Sequence, residues 1–139
     1  MNDASPTPLT NFTRIGGQPV IDRLVDAFYQ WMDTLPAARG IREMHQADLT
    51  STKEVLKRYF GEWMGGPPLY SAERGHPRLR MRHLRLRIGP EERDAWMLCM
   101  RGALEETVAD PALRQSLHDA FLKLADWVRN DPENPHDKR

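Results

Sequence analysis

The sequence predicts an all-α protein, a sandwich of four main helices, on three observations. Apolar residues recur at helical spacing in four separate stretches. Those stretches carry start or stop chemistry of their own, such as a proline in a first turn or a Gly-Gly after a last one. The one stretch that alternates like a strand has no second strand to join, and a lone ribbon is not stable. Helices that are apolar on one face must bury that face against one another, which builds a layered helical domain.

The first helix is expected after IGGQP. Gly16 and Gly17 form a flexible turn, Pro19 suits a first helical turn, and Val20, Ile21, Leu24, Val25, Phe28 and Met32 follow on one face. The stretch DTLPAARG, residues 33–40, interrupts that pattern. A second helix is expected at STKE, where Ser51 and Glu54 have capping-box spacing. Its apolar positions are Val55, Leu56, Tyr59, Phe60 and Trp63, and the run GGPP at 65–68 ends it. The third opens at GPEERDAW: Pro90 sits in the first turn, and Glu91 and Glu92 lie beside the positive end of the helix dipole. Trp96, Cys99, Met100, Ala103, Leu104 and Val108 mark its buried side. The fourth starts with the cap Asp110 and Pro111 and carries Leu113, Leu117, Phe121, Leu124 and Val128. Residues 1–13 and 131–139 are polar and proline-bearing, so they are expected to be flexible tails around one domain at 14–130.

Bulk properties narrow the function classes. A chain of 139 residues can bury a sizeable core in a single domain. Its 20 basic and 20 acidic residues cancel, which removes any global pull toward nucleic acid or anionic lipid. No apolar run approaches the roughly 20 residues of a membrane span. The start, MNDASPTPLT, lacks the basic and apolar regions of a secretion signal. Cys99 is alone and cannot form an internal disulfide. A soluble cytoplasmic protein is the expectation.

Charge is nevertheless concentrated in GHPRLRMRHLRLRIG, residues 75–89. This stretch holds five arginines and two histidines, with Arg74 just ahead of it. One reading is a nucleic-acid module using Arg74, Arg78, Arg80, Arg82, Arg85 and Arg87, whose phosphate contacts would be steeply salt-dependent. The neutral chain and the missing strand partner speak against it. Read as a short helix and loop, His83 shares a face with Leu79 and Leu86, while Arg78, Arg82 and Arg85 lie on another. An imidazole on an apolar face bordered by guanidinium groups suits haem, a flat apolar plate with two carboxylates. Imidazole is a good donor to iron, and Arg pairs well with carboxylate. Taken alone, a solvated surface histidine explains the same residues.

Other residues bear on that choice. A diatomic ligand on haem iron gains partial negative charge, so its pocket needs hydrogen-bond donors within apolar walls. Trp96 has a donor-only indole N–H, and Tyr29 has a hydroxyl that is costly to bury without a partner. His45 lies in the turn before the second helix. A core tryptophan, a boundary tyrosine and a solvated histidine are the plain alternatives; the joint placement of the three favours a pocket.

These residues fall into a known pattern. The run GGPPLYSAERGHPRLRMRHLRLRIGPEERDAWMLCM, with IGG at 15–17, FY at 28–29 and ADL at 47–49 in matching order, resembles the group II truncated haemoglobins. The resemblance covers about residues 14–130. It implies a shortened globin fold, a two-over-two helical sandwich around a non-covalent haem b and its iron. It implies His83 as the proximal iron ligand and Arg82 as the partner of a haem propionate; Arg80 and His76, in the same segment, are candidate helpers. Trp96 and Tyr29 become the distal donors to the bound ligand. Before ADL the family usually carries an aromatic; here MHQADL puts His45 in that position, or Met44 if the loop differs by one residue. A histidine there would donate to the ligand or cap the iron in a six-coordinate state. Thr52 matches the gate position, and Leu56, Tyr59 and Phe60 match pocket walls.

The implied function is binding of O2 and other diatomics at a five-coordinate iron. Two donors acting together should slow O2 loss. That suits oxygen, nitric oxide or peroxide redox chemistry, dioxygenase-like or peroxidase-like, or ligand scavenging, better than oxygen transport. An unidentified reductant is then required. A monomer or homodimer is expected, with no nucleic-acid or membrane partner. The alternative is a gas or redox sensor acting through an unidentified partner.

Overall fold

A computed structural model describes residues 9–130. In chain order it contains α1 (Asn11–Ile15), α2 (Gln18–Thr34), a 3-10 turn (Pro36–Ala38), α3 (Arg39–Glu43) and α4 (Thr50–Trp63). Then come α5 (Leu69–Arg74), α6 (Leu79–Arg82), α7 (Pro90–Thr107) and α8 (Pro111–Trp127). There is no strand among the described residues, and the four expected helices are the four longest, α2, α4, α7 and α8. The largest interfaces join α2 to α7, α7 to α8 and α2 to α4, so α2 and α4 form one pair and α7 and α8 the other. In the core, Ile21, Leu24, Val25, Phe28 and Met32 of α2 cluster with Phe60 of α4, Met100 and Leu104 of α7, and Leu117 and Phe121 of α8. Removing a side chain such as Phe121 from water contributes roughly 1.5–3 kcal/mol. No described helix is long and apolar enough to cross a membrane.

Three local features differ from expectation. First, α1 starts at Asn11, inside the stretch read as a tail. Thr10 caps it, its hydroxyl accepting the Thr13 N–H at 3.1 Å, and the Phe12 N–H donates to the Met64 carbonyl at 2.9 Å. The Phe12 ring lies against Gly66, where an added Cβ would come within 2.4 Å of it. A five-residue helix is too short to display periodicity; docking on the end of α4 is what orders it. Residues 1–8 and 131–139, the rest of the expected tails, lie outside the described residues.

Second, α4 begins at Thr50, so Ser51 is already helical and no Ser51–Glu54 capping box forms. The Asp48 carboxylate takes over, accepting the Thr50 N–H at 3.0 Å and its hydroxyl at 2.7 Å. Those two bonds, the backbone one first, hold the Asp48 carboxyl below its ordinary value. Third, the stretch at 65–77, whose proline and glycine content leads one to expect mostly loop, contains α5. Glu62 accepts the Ser71 N–H at 2.8 Å and also the Ser71 hydroxyl, and buried Tyr70 meets Tyr59 edge-on at 5.6 Å. These contacts fix where the arginine-rich segment starts.

Candidate functional site

α6 is a single turn, and His83 follows it directly. The His83 Nδ1 donates to the Leu79 carbonyl at 2.6 Å, which leaves Nε2 as the bare nitrogen. Leu86 donates its N–H back to the His83 carbonyl at 3.0 Å. Arg82 is exposed, with its Nε donating to the Pro77 carbonyl at 2.8 Å and its terminal nitrogens directed to no described residue. His76 is exposed too, and its Nδ1 accepts the Arg78 N–H at 3.0 Å where Arg78 adopts φ +46°. His76 therefore supports the bend into α6. The Arg80 side chain lies outside the described ones.

On the other side, α2 buries Phe28 and Tyr29, the latter at 3 % exposure. Phe28 meets Tyr29 edge-on at 5.0 Å and the half-buried Trp96 of α7 at 5.0 Å, so the α2–α7 contact brings both expected donors to one place. Neither the Tyr29 hydroxyl nor the Trp96 indole N–H is hydrogen-bonded to another described residue. Burial pushes the Tyr29 hydroxyl well above its ordinary value, against a smaller opposing effect of Arg42, so it stays a proton donor.

His45 meets Tyr29 edge-on at 5.7 Å. Its Nδ1 donates to the Ile41 carbonyl at 2.8 Å. Burial holds the imidazole below its ordinary value; the Ile41 bond opposes this, and the charges of Arg42 and His83 add to it. Neutral His45 therefore presents a bare Nε2, which can accept an O–H or ligate a metal but cannot donate. That removes one of the two roles expected for this position while the ring is neutral. The turn that carries it is closed by Arg42, whose Nε pairs with Asp33 at 2.5 Å and whose terminal nitrogens donate to the Gln46 and Ala47 carbonyls at 3.0 Å.

The wall residues are spread along α4. Thr52, Leu56 and Tyr59 are half-buried, and Phe60 is buried against Phe121 at 5.0 Å. Burial pushes the Tyr59 hydroxyl up to about 12 and the Cys99 thiol up to about 11, so neither ionises near neutrality. A wide surface groove runs between Trp63, Arg93, Leu122 and Trp127, but no expected site residue lines it.

Sequence reasoning missed two residues that shape this region, Arg42 and Asn130. Asn130 donates from Nδ2 to the carbonyls of His83 (3.1 Å) and Leu86 (2.9 Å), while its Oδ1 accepts the Ile88 N–H at 2.9 Å. Neither belongs to a local spacing pattern, since Asn130 lies 47 residues from His83.

The donor set fits a haem. Among the described residues no group of three or more His, Cys, Asp or Glu could hold a bare metal ion. A single imidazole with its Nδ1 engaged suits iron whose equatorial ligands come from a porphyrin. The apolar walls contain an unpartnered phenol and indole, which suit a polar ligand on that iron.

Comparison with known proteins agrees. The profile of the bacterial-like globins matches residues 10–130. The group 2 truncated hemoglobin YjbI of Bacillus subtilis is 37 % identical over 117 residues, covering 84 % of this chain and 86 % of that protein. Among solved structures, a group II 2-on-2 hemoglobin from Agrobacterium tumefaciens superimposes with a TM-score of 0.85 at 40 % identity, over 92 % of this chain and 98 % of that one. A cold-adapted truncated hemoglobin from Pseudoalteromonas haloplanktis TAC125 gives 0.85 at 34 % identity, over 88 % and 99 %.

Proposed function

Because the chain belongs to the bacterial-like globin family, among its group II truncated haemoglobins, it holds haem iron non-covalently, and we propose that His83 is the axial ligand. Bound haem supplies an iron with one open axial position for O2 and other diatomics. His83 contributes Nε2, and its Nδ1–H bond to Leu79 fixes the ring orientation. Arg82, through its terminal nitrogens, pairs with a propionate.

Tyr29 and Trp96 donate to the diatomic ligand, Tyr29 from a buried phenol that cannot ionise near neutrality. His45 acts as an acceptor at Nε2. With Nε2 unprotonated, it would serve as a sixth ligand to the iron when no diatomic is bound. Thr52 forms the gate, with Leu56, Tyr59 and Phe60 as walls. The protein retains O2 for redox turnover or scavenging, driven by a separate reductant, in preference to releasing it for transport. One observation carries this reading: two donors, Tyr29 and Trp96, both pack on Phe28, and neither donor group is hydrogen-bonded to another described residue.

The test is stopped-flow O2 dissociation. A hydrogen bond to a partly charged ligand is worth about 1.5–3 kcal/mol. Tyr29→Phe and Trp96→Phe should each release O2 roughly ten- to a hundredfold faster than wild type, and the double variant should fall short of the product. Rates within twofold of wild type in both single variants refute the donor assignment. A Soret band unchanged in His83→Ala refutes the ligand.

A further inference from the structure

The segment after His83 has no helix or strand of its own to hold it, yet the orientation of an iron ligand depends on it. Beyond two local turn bonds, Leu84 N–H to the Met81 carbonyl and Leu86 N–H to the His83 carbonyl, its backbone partners come from the far end of the chain. Asn130, just beyond the end of α8, makes four hydrogen bonds to it. Its Nδ2 donates to the carbonyls of His83 at 3.1 Å and Leu86 at 2.9 Å, and its Oδ1 accepts the Ile88 N–H at 2.9 Å. Its own N–H donates to the Ile88 carbonyl at 2.7 Å. The primary amide suits this role, because two donors meet two carbonyls and one acceptor meets one N–H. Aspartate would keep the acceptor and turn a negative oxygen toward both carbonyls. Serine could make only part of the set.

The His83 ring is held separately, by its Nδ1–H bond to Leu79. Two independent restraints therefore act on the residue, one on the imidazole and one on the main chain that carries it. The second reaches across 47 residues and docks the loop onto the end of the α7–α8 pair.

We infer that Asn130 is a positioning residue for the iron ligand, clamping the His83–Ile88 loop so that Nε2 is held in one orientation. This rests on His83 being the ligand. Outer partners of metal-binding histidines are typically worth about 10–100-fold in metal affinity or activity. The clamp acts through the main chain, so the lower end of that range applies.

The experiment uses the full-length haem-loaded protein. The iron–histidine stretching band of the ferrous, ligand-free form is recorded by resonance Raman, and haem transfer to excess apomyoglobin is timed. Asn130→Ala, which loses the three side-chain bonds, should shift and broaden the band and speed haem loss about tenfold. The near-isosteric Asn130→Asp should do the same, and it supplies the measurement if the alanine variant does not fold. A lower melting temperature with an unchanged band and haem loss within twofold means Asn130 is merely structural, and overturns the clamp alone. A wild-type band that persists in His83→Ala overturns the ligand reading and the clamp with it.

Discussion

Gly102 lies in α7 where the helix crosses α2, and a Cβ built there would meet the Trp31 indole at 2.7 Å from Cε2, 2.8 Å from Nε1 and 2.9 Å from Cδ2. Ordinary contact begins near 3.4 Å, so in Gly102→Ala the ring must withdraw by roughly 0.7 Å. The ring is rigid and sits between two helices, and overpacking of this kind costs about 1–3 kcal/mol. Alanine gains back about 0.8–1 kcal/mol in helix propensity. The Trp31 Nε1 has no hydrogen-bond partner, so no bond is broken as the ring moves. The clash wins, by about 1 kcal/mol, which for a domain of this size lowers the melting temperature by about 3–6 °C.

Gly40 is the internal control, because nothing lies within 4 Å of the position its methyl would take and it is exposed in α3. Gly40→Ala should gain about 0.4–1 kcal/mol and melt a few degrees higher. The contact at Gly102 bears on function as well as stability. Trp31 follows Tyr29 by two residues, and Gly102 follows Trp96 by six. Moving α2 against α7 disturbs both donors, so Gly102→Ala should also release O2 faster, and Gly40→Ala should not. Calorimetry and stopped-flow on the two variants decide the matter. A Gly102→Ala protein that melts at or above the wild-type temperature refutes the reasoning.

Two further outcomes follow from the charge states. His45 has its folded value depressed below 6.5, so the folded protein resists a proton that the unfolded chain accepts. Its contribution to stability is complete above pH 6.5 and is lost as the pH falls through the lower folded value. His45→Phe should flatten the melting temperature against pH between 8 and 5, and an unaltered slope would count against the buried, neutral ring. Asp48→Ala removes the carboxylate that accepts the Thr50 N–H at the start of α4, and the Thr50 amide should exchange faster with solvent than it does in the wild type; equal protection in variant and wild type would show that another group caps the helix.

How far the sequence can be read depends on the range of each interaction. The stripes Ile21–Leu24–Val25–Phe28 and Leu113–Leu117–Phe121 repeat within one helix, and burial of one face enforces that repeat, so α2 and α8 are visible without any contact being known. The same holds for Pro90 and Glu92 at the start of α7, where Glu92 accepts the Gly89 N–H at 2.7 Å. Helix starts are harder. Ser51 and Glu54 have the right spacing, but the backbone turns helical one residue earlier and Asp48 becomes the cap. Spacing records which residues can interact, not which of two competing caps the chain path favours.

The candidate site divides along the same line. His83, Tyr29, Trp96 and His45 are candidates on local chemistry and a family resemblance, because each carries a group able to bond a metal or a polar ligand. Local sequence does not tell whether His45 donates or accepts. That depends on which ring nitrogen the Ile41 carbonyl engages, a matter of how the turn after α3 is closed by Arg42. Nor does it connect Asn130 to His83, since an asparagine near the end of a chain carries no mark of a partner 47 residues away. Residue type and helical period set the helices and the chemical groups available to this protein. The pairing of those groups, and the nitrogen left free on each imidazole, come from packing distant segments together, because hydrogen bonds across a fold obey distance in space and not separation along the chain.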